Sequence, residues 1–408
     1  MKFVLYSLNY SPELTGIGKY NGELAPDLAA RGHDVSVVTA PPYYPEWQRH
    51  RGFKNRWAKT QEKGVSIYRS PLFVPKKIST IKRMLHLMSF AISSSVSLMR
   101  LLSSKPDVLF LVQPTLFCAP MALLFCKLTG AKAVMHIQDF EVDAMFGLGM
   151  SNGLVAKLGK GFERWCLKHF DLVSSISSSM LANAEAKGLE PERQLFFPNW
   201  SDTDFVTPSV DGAELRKAWG YSEQDKVVLY SGNVGHKQGL EIVLNAAEKF
   251  GHNSCVKFII IGSGSYRAEL ETMAKTLKLS NVEFKPLQPW EDVPKILAMA
   301  DVHLVVQKKG AADAVLPSKL TNILSAGGHA LVTAEGDTEL GRLAQQYPGI
   351  YQCVEPESIT AFNEGLAACL AVDTSKPNTI ARRYAIENLN ESAVIDRFVE
   401  QLQEKFKL

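Results

Sequence analysis

Residues 2–39 read KFVLYSLNYSPELTGIGKYNGELAPDLAARGHDVSVVT. Residues 2–7 are a short apolar strand. A loop from Asn9 to Thr15 leads to Gly16-Ile-Gly-Lys-Tyr-Asn21, where a helix opens and carries Leu24, Leu28 and Ala29. Arg31-Gly32-His33 ends that helix, and Asp34 to Thr39 returns as a second strand. Strand, helix, strand in so short a span is a βαβ unit, which implies a parallel sheet with a right-handed crossover. Gly16 and Gly18 permit close approach of a ligand to the backbone. A dinucleotide fingerprint is disfavoured. Asn21 stands where a third glycine belongs, and the second strand runs into Thr39-Ala40-Pro41-Pro42 without the acidic residue that would hold a ribose.

The alternation continues outward from this unit. Pro41-Pro42-Tyr43-Tyr44-Pro45 is a rigid aromatic loop on the side of the sheet where ligands gather. Val65 to Arg69 is a third strand, and 78–102 is a long apolar helix broken by Lys105-Pro106. Asp107 to Val112 is a near-continuous apolar strand, of the kind buried on both faces. Ala133 to Ile137 closes in His136-Ile-Gln-Asp139, which puts His136 at a strand mouth. Helix 152–168 is basic on one face, and Leu172 to Ile176 is a strand. Phe196 to Phe205 has the Pro, Asn and Ser of a connection, so the domain boundary falls there.

A second α/β half follows. Val227 to Ser231 is a strand, and Gly232-Asn-Val-Gly-His-Lys-Gln-Gly239 is a glycine-rich turn from which Lys237 can reach a phosphate. Helices at 240–249, 266–277 and 290–299 alternate with strands at 258–262, 282–284 and 302–307. Residues 310–333, GAADAVLPSKLTNILSAGGHALVT, read as loop, helix, turn and strand. Pro317 suits the first turn of a helix. The free N–H groups there, beside Ser318 and Lys319, make an anion site, and Lys319 and Asn322 share a face. The spacing therefore predicts two Rossmann-like, doubly wound domains facing across a cleft, the default ligand site. The C-terminal residues 380–406 read as helices.

Composition narrows the class. With 408 residues, two domains are the natural expectation. Six cysteines form no CxxC pair and no metal-ligand cluster, which suits a reducing compartment. The N-terminus lacks the long apolar core of a signal peptide, and helix 78–102 carries His86, Arg100 and a run of serines, so no transmembrane span is expected. Charge is unevenly placed. Residues 46–83 hold eleven Lys and Arg, among them Lys76, Lys77, Lys82 and Arg83, against Glu46 and Glu62. That local +9, in a chain of net +3, attracts anionic partners. An anionic membrane surface is one candidate. Nucleic acid is weaker, because no recognised nucleic-acid module accompanies the charge.

Taken together, Asn9 to Tyr20 with its Gly-Ile-Gly loop, Ala-Pro-Pro-Tyr-Tyr-Pro45, His136-Ile-Gln-Asp139, residues 136–149 and Gly310 to Asn322 resemble the GT-B fold, specifically the retaining glycosyltransferases of family four. The resemblance spans essentially the whole chain and is nearest to the fucosyltransferases of colanic acid synthesis. It implies an acceptor-binding domain over 1–200, a nucleotide-sugar-binding domain over 201–385 and a final helical segment, 386–408, that crosses back, with the 198–206 connection as hinge. It implies transfer of a sugar from a GDP- or UDP-sugar, GDP-L-fucose in this branch, to an undecaprenyl-diphosphate-linked saccharide at the cytoplasmic face of the inner membrane, with no metal cofactor. His136, Lys237, Lys319 and Asp313 become the implied catalytic group. Gly16, Gly18, Asn233, Gly235, Gly262, Ala314, Val315, Leu316, Ser318 and Asn322 become donor-binding, and Lys76, Lys77, Lys82 and Arg83 meet the acceptor or the membrane. Two departures stand out. The family's two glutamates, eight apart, fall on Ala314 and Asn322, with Asp313 one residue early, and its usual arginine falls on Asn233. A nucleotide-sugar epimerase and a non-catalytic nucleotide-binding scaffold are the competing readings.

Overall fold

The computed structural model describes residues 1–13, 16–76, 79–140, 153–251, 255–310 and 317–408. The chain divides into two compact units, residues 1–199 with 395–408, and residues 200–394.

The first unit is built on eight strands: β1 (Lys2–Tyr6), β2 (Asp34–Thr39), β3 (Ala58–Glu62), β4 (Val65–Arg69), β5 (Val108–Val112), β6 (Lys132–Ile137), β7 (Leu172–Ser175) and β8 (Gln194–Phe196). Their order in the sheet is β3-β4-β2-β1-β5-β6-β7-β8. Every pair is parallel except β3 with β4. All five residues of β5 are buried, as a strand covered on both faces requires. The hairpin strand β3 was not anticipated. Its sequence, Ala-Lys-Thr-Gln-Glu, is exposed throughout and carries no apolar alternation. A polar edge of this kind discourages pairing with another chain. The helices are α1 (Gly16–Ala30), α2 (Thr80–Met99), α3 (Ala119–Thr129), α4 (Leu154–His169) and α5 (Ser178–Ala186). The long helix is shorter than its apolar run suggested, because Leu102–Ser104 turns as a 3-10 segment and Lys105 adopts a left-handed backbone.

The second unit holds six strands, all parallel: β9 (Lys226–Ser231), β10 (Val256–Ile261), β11 (Val282–Lys285), β12 (Val302–Val305), β13 (Ala330–Thr333) and β14 (Gln352–Val354), ordered β11-β10-β9-β12-β13-β14. Around them run α6 (Ala213–Ala218), α7 (Glu241–Phe250), α8 (Arg267–Thr276), α9 (Val293–Ala298), α10 (Ser318–Ser325), α11 (Glu339–Gln346), α12 (Ile359–Ala371) and α13 (Thr379–Asn388). The last helix, α14 (Glu391–Phe406), begins in this unit, and its residues from Ile395 onward belong to the first. There Phe398 stacks on Phe197 and meets Phe110 edge-on.

Both sheets reverse direction of strand addition beside their first strand, between β1 and β5 and between β9 and β12. In open α/β sheets ligands bind at the carboxyl ends of strands flanking such a point. A shared device sets the register there. An aspartate one residue ahead of a strand clamps one residue of the neighbouring strand: Asp107 ahead of β5 accepts from Lys2 N and donates to Lys2 O. Asp171 does the same to Ala133 and Asp301 to Val227. Asp301 also accepts from Arg216 and Thr374, and these partners, led by the Val227 amide, hold its pKa below the usual carboxylate value despite burial.

Candidate active site

Strand β9 ends in Tyr230 and Ser231 and runs into the turn Gly232-Asn-Val-Gly235. Tyr230 is fully buried, and its hydroxyl donates to the Asn233 carbonyl at 2.6 Å. The second residue of α10, Lys319, reaches the same hydroxyl with Nζ at 2.9 Å, its ammonium 4.1 Å from the centre of the Tyr230 ring. Gly232 leaves room for it, since a Cβ there would stand 3.1 Å from Lys319 Nζ. Burial lowers the Lys319 pKa to about 8. Among the described residues no carboxylate pairs with it, and one hydroxyl and one aromatic face are its recorded partners. An ammonium held this way at a helix start, over a glycine turn at the switch point, is prepared for a multiply charged anion.

The remaining expectations for this unit fare differently. Asn233 is exposed beside Lys319's turn. Lys237 is exposed on the 3-10 turn His236–Gln238, whose Lys237 carbonyl is fixed by the Lys308 amide. Gly235 donates to Gln238 Oε1 at 3.1 Å. Gly262, expected to line the donor site, packs closely on the neighbouring turn. A Cβ at Gly262 would overlap the Gly232 carbonyl, and one at Gly264 the Val234 carbonyl. Ser318 is exposed at the start of α10, while Asn322 Oδ1 accepts from Ser201 at 2.8 Å. Asp313, Ala314, Val315 and Leu316 lie outside the described residues, as does Lys77 in the first unit.

In the first unit, His136, expected beside the donor sugar, sits near the end of strand β6. It is 2 % exposed, stacked on Phe110 and edge-on to Phe197, with Nδ1 2.9 Å from Ser174 Oγ and Nε2 3.1 Å from Gln138 Nε2. The Gln138 amide can only donate, so Nε2 is the bare nitrogen and Nδ1 carries the proton. Burial drives its pKa to about 3, and the ring stays neutral. Both ring nitrogens thus have protein partners in this structure.

Gly18, another expected donor-site residue, packs against Glu13. A Cβ there would lie 2.5 Å from Glu13 Cβ, so the close approach it permits is that of Glu13. Glu13 is 2 % exposed, and its carboxylate accepts from Tyr43 N (2.8 Å), Tyr44 N (2.9 Å) and Asn9 Nδ2 (2.8 Å). These bonds seat the aromatic loop. Beside it opens a cavity of about 200 Å³, walled by Gly16 and Asn9, the loop residues Tyr43, Tyr44 and Trp47, and Arg83 and His86 of α2. Gly16 and Arg83, expected in separate roles, thus share one cavity. Sequence reasoning passed over Glu13, His86 and Tyr230.

The outer side of α2 is unusual. Ile81, Leu85, Met88, Ile92, Val96 and Met99 are exposed, whereas His86, Ser94 and Ser97 are buried. Tyr6 and Ser70 pair with Ser94 and Ser97 at 2.6 and 2.7 Å. The helix has no acidic residue; Lys82 is exposed near its start and Arg100 just past its end. Lys76 is exposed as well. Among the described residues no helix is long and apolar enough to cross a membrane.

Two parallel α/β units with matching switch points, a cation prepared for an anion in one and an aromatic cavity in the other, define a GT-B glycosyltransferase. The chain belongs to the family described by the Glycosyl transferase 4-like domain, matched over residues 15–200, and Glycosyl transferases group 1, matched over 211–387. It is 49% identical over 409 residues, 99% of this chain and 100% of the relative, to WcaI of Escherichia coli (strain K12), a protein named as a colanic acid biosynthesis glycosyl transferase. Among solved structures it is similar to sucrose-phosphate synthase from Thermosynechococcus elongatus (TM-score 0.75, 14% identity, 100% and 99% of the two chains). HepE of Anabaena in complex with UDP-glucose gives a TM-score of 0.66 at 14% identity over 98% and 99%.

Proposed function

We propose that this chain moves L-fucose from GDP-L-fucose, with retention, onto a lipid-diphosphate-linked saccharide in colanic acid synthesis. The observation that carries the reading is Lys319, a covered ammonium with no carboxylate partner among the described residues. Breaking the sugar–phosphate bond builds charge on the departing diphosphate, which a fixed cation and helix N–H groups stabilise. Lys319 does this at the glycine turn, Lys237 from its exposed position beside it, and no metal is required. The acceptor oxygen forms its bond to the anomeric carbon on the face the diphosphate leaves, and its proton passes to the departing phosphate oxygen. The likeness to WcaI supports the pathway, and the nucleotide complexes of HepE support a nucleotide-linked donor.

Peripheral docking at the cytoplasmic face of the inner membrane belongs to the same reading. The apolar outer side of α2, with Lys82 and Arg100 at its ends and Lys76 and Arg83 close by, has the make-up of a helix lying in an anionic interface. Flotation with anionic vesicles checks this; an unchanged distribution in Ile92→Glu would remove the helix from the contact.

The donor is tested by thermal stabilisation under EDTA. A ligand that binds only the folded chain raises its melting temperature. GDP is expected to do so in the wild type and to fail in Lys319→Met. Stabilisation by UDP alone moves the donor to a UDP-sugar such as UDP-FucNAc, and stabilisation by neither leaves a non-catalytic scaffold.

A further inference from the structure

His86 holds an unanswered hydrogen-bond acceptor against the first unit's cavity. Its Nδ1 lies 2.6 Å from the Phe73 carbonyl, which can only accept, so Nδ1 carries the proton. Burial lowers the pKa of the ring, and Arg83 nearby opposes a second proton, so Nε2 presents a lone pair. That atom is buried and has no hydrogen-bond partner among the described residues, in a residue 1 % exposed. Buried polar atoms are nearly always paired. Other buried atoms of the chain also lack partners, but His86 is the one whose side chain walls the 200 Å³ cavity.

The rest of the wall suggests what completes it. The Tyr43 and Trp47 rings lie 4.8 and 5.2 Å from His86, centre to centre. Trp47 keeps a left-handed backbone, φ 51°, which costs energy in a residue other than glycine and persists only where the surroundings fix it. The space equals about six water molecules at ~30 Å³ each, enough for one sugar ring. Aromatic faces, a bare acceptor and a guanidinium are together the chemistry for a hydroxylated ring that carries phosphate.

We propose that this cavity seats a glycosyl diphosphate, with a sugar hydroxyl donating to His86 Nε2, the ring against Trp47 and Tyr44, and the phosphate on Arg83. Identification of that ligand as the transfer acceptor rests on the reading above. His86 is then a specificity-determining residue, since a sugar lacking that hydroxyl leaves Nε2 unanswered.

The probe is glucose linked through diphosphate to a ten-carbon prenyl chain. His86→Asn retains a donor for the Phe73 carbonyl but removes the Nε2 acceptor. Its KM for the probe should rise at least tenfold, with stabilisation by GDP unchanged. A rise below twofold overturns the proposal and leaves the transferase reading intact. Binding is read independently, by tryptophan fluorescence of the full chain. The probe should change wild-type emission, and Trp47→Phe should abolish that change. A wild-type protein that gives no signal at millimolar probe overturns the proposal whatever its turnover. A signal that requires Trp47 and weakens tenfold in Arg83→Gln, in a protein that transfers no sugar, sustains the cavity and defeats the transferase reading.

Discussion

Glu13 in the first unit and Lys319 in the second are both covered charges without a recorded ion pair, yet they stand in opposite conditions. The Glu13 carboxylate accepts from two backbone amides and the Asn9 side chain, and Gly18 is pressed over it. The Lys319 ammonium has three N–H groups and one recorded acceptor, the Tyr230 hydroxyl. The two buried histidines of the first unit repeat the contrast, His136 with both nitrogens used and His86 with one. A covered polar group whose hydrogen-bonding capacity is filled fixes the fold. One whose capacity is left over beside a cavity or an anion site is a candidate place for a ligand.

The contrast can be broken most sharply at Lys319. Lys319→Met is expected to lower kcat by about 10²–10³-fold, the usual loss when one preorganised charge at a developing anion is removed. It should leave stability nearly unaffected, because Met replaces a charge whose burial is itself unfavourable. If turnover survives within threefold, the cation is not at the reacting phosphate.

The pH dependence sharpens the same point. With its pKa at about 8 in the free protein, Lys319 is protonated below pH 8, and donor affinity is full there. Above pH 8 affinity should fall by up to about tenfold per unit, because the diphosphate must then bring a proton with it. The stability of the ligand-free protein should move the other way. The folded pKa lies below the unfolded 10.5, so the unfolded chain binds more protons between these values, and stability rises with pH across that window. Calorimetry and melting curves from pH 7 to 10 read both slopes. Parallel slopes would mean that Lys319 is not the titrating group.

Glu13 is expected to give the opposite profile from Lys319. Glu13→Gln keeps an oxygen for Tyr43 N and Tyr44 N but faces the Asn9 amide with a second donor, at a cost of about 1–3 kcal/mol in stability. Stabilisation by GDP should not change, and the shift should appear in denaturant midpoint. A normal midpoint with lost GDP response would invert the assignment of the two charges.

Much of this was legible in advance. Asp107 to Val112 read as a strand buried on both faces and Phe258 to Gly262 as a strand, both close to what forms, and Pro317-Ser-Lys319 announced a helix start with a cation. The illegible parts depend on what lies across the fold. β3 is a strand because β4 pairs with it, and its own residues carry no sign of pairing. Gly18 and Gly262 read as glycines open to a ligand, and sequence could not foresee the protein atoms packed on them: Glu13 in one case, the Gly232 carbonyl in the other. His136 stands at a strand mouth, where sequence could not foresee that Ser174 and Gln138 take both nitrogens.

The packing of Gly262 and Gly264 onto Gly232 and Val234 also bears on how this unit can change over evolutionary time. Residues 232–239 and 262–264 interlock backbone to backbone, with no side chain between them to absorb a mismatch. They can drift only as a pair. A chimera that imports the first turn from a relative must import the second with it, so two stretches separated in the gene are inherited as one packing unit.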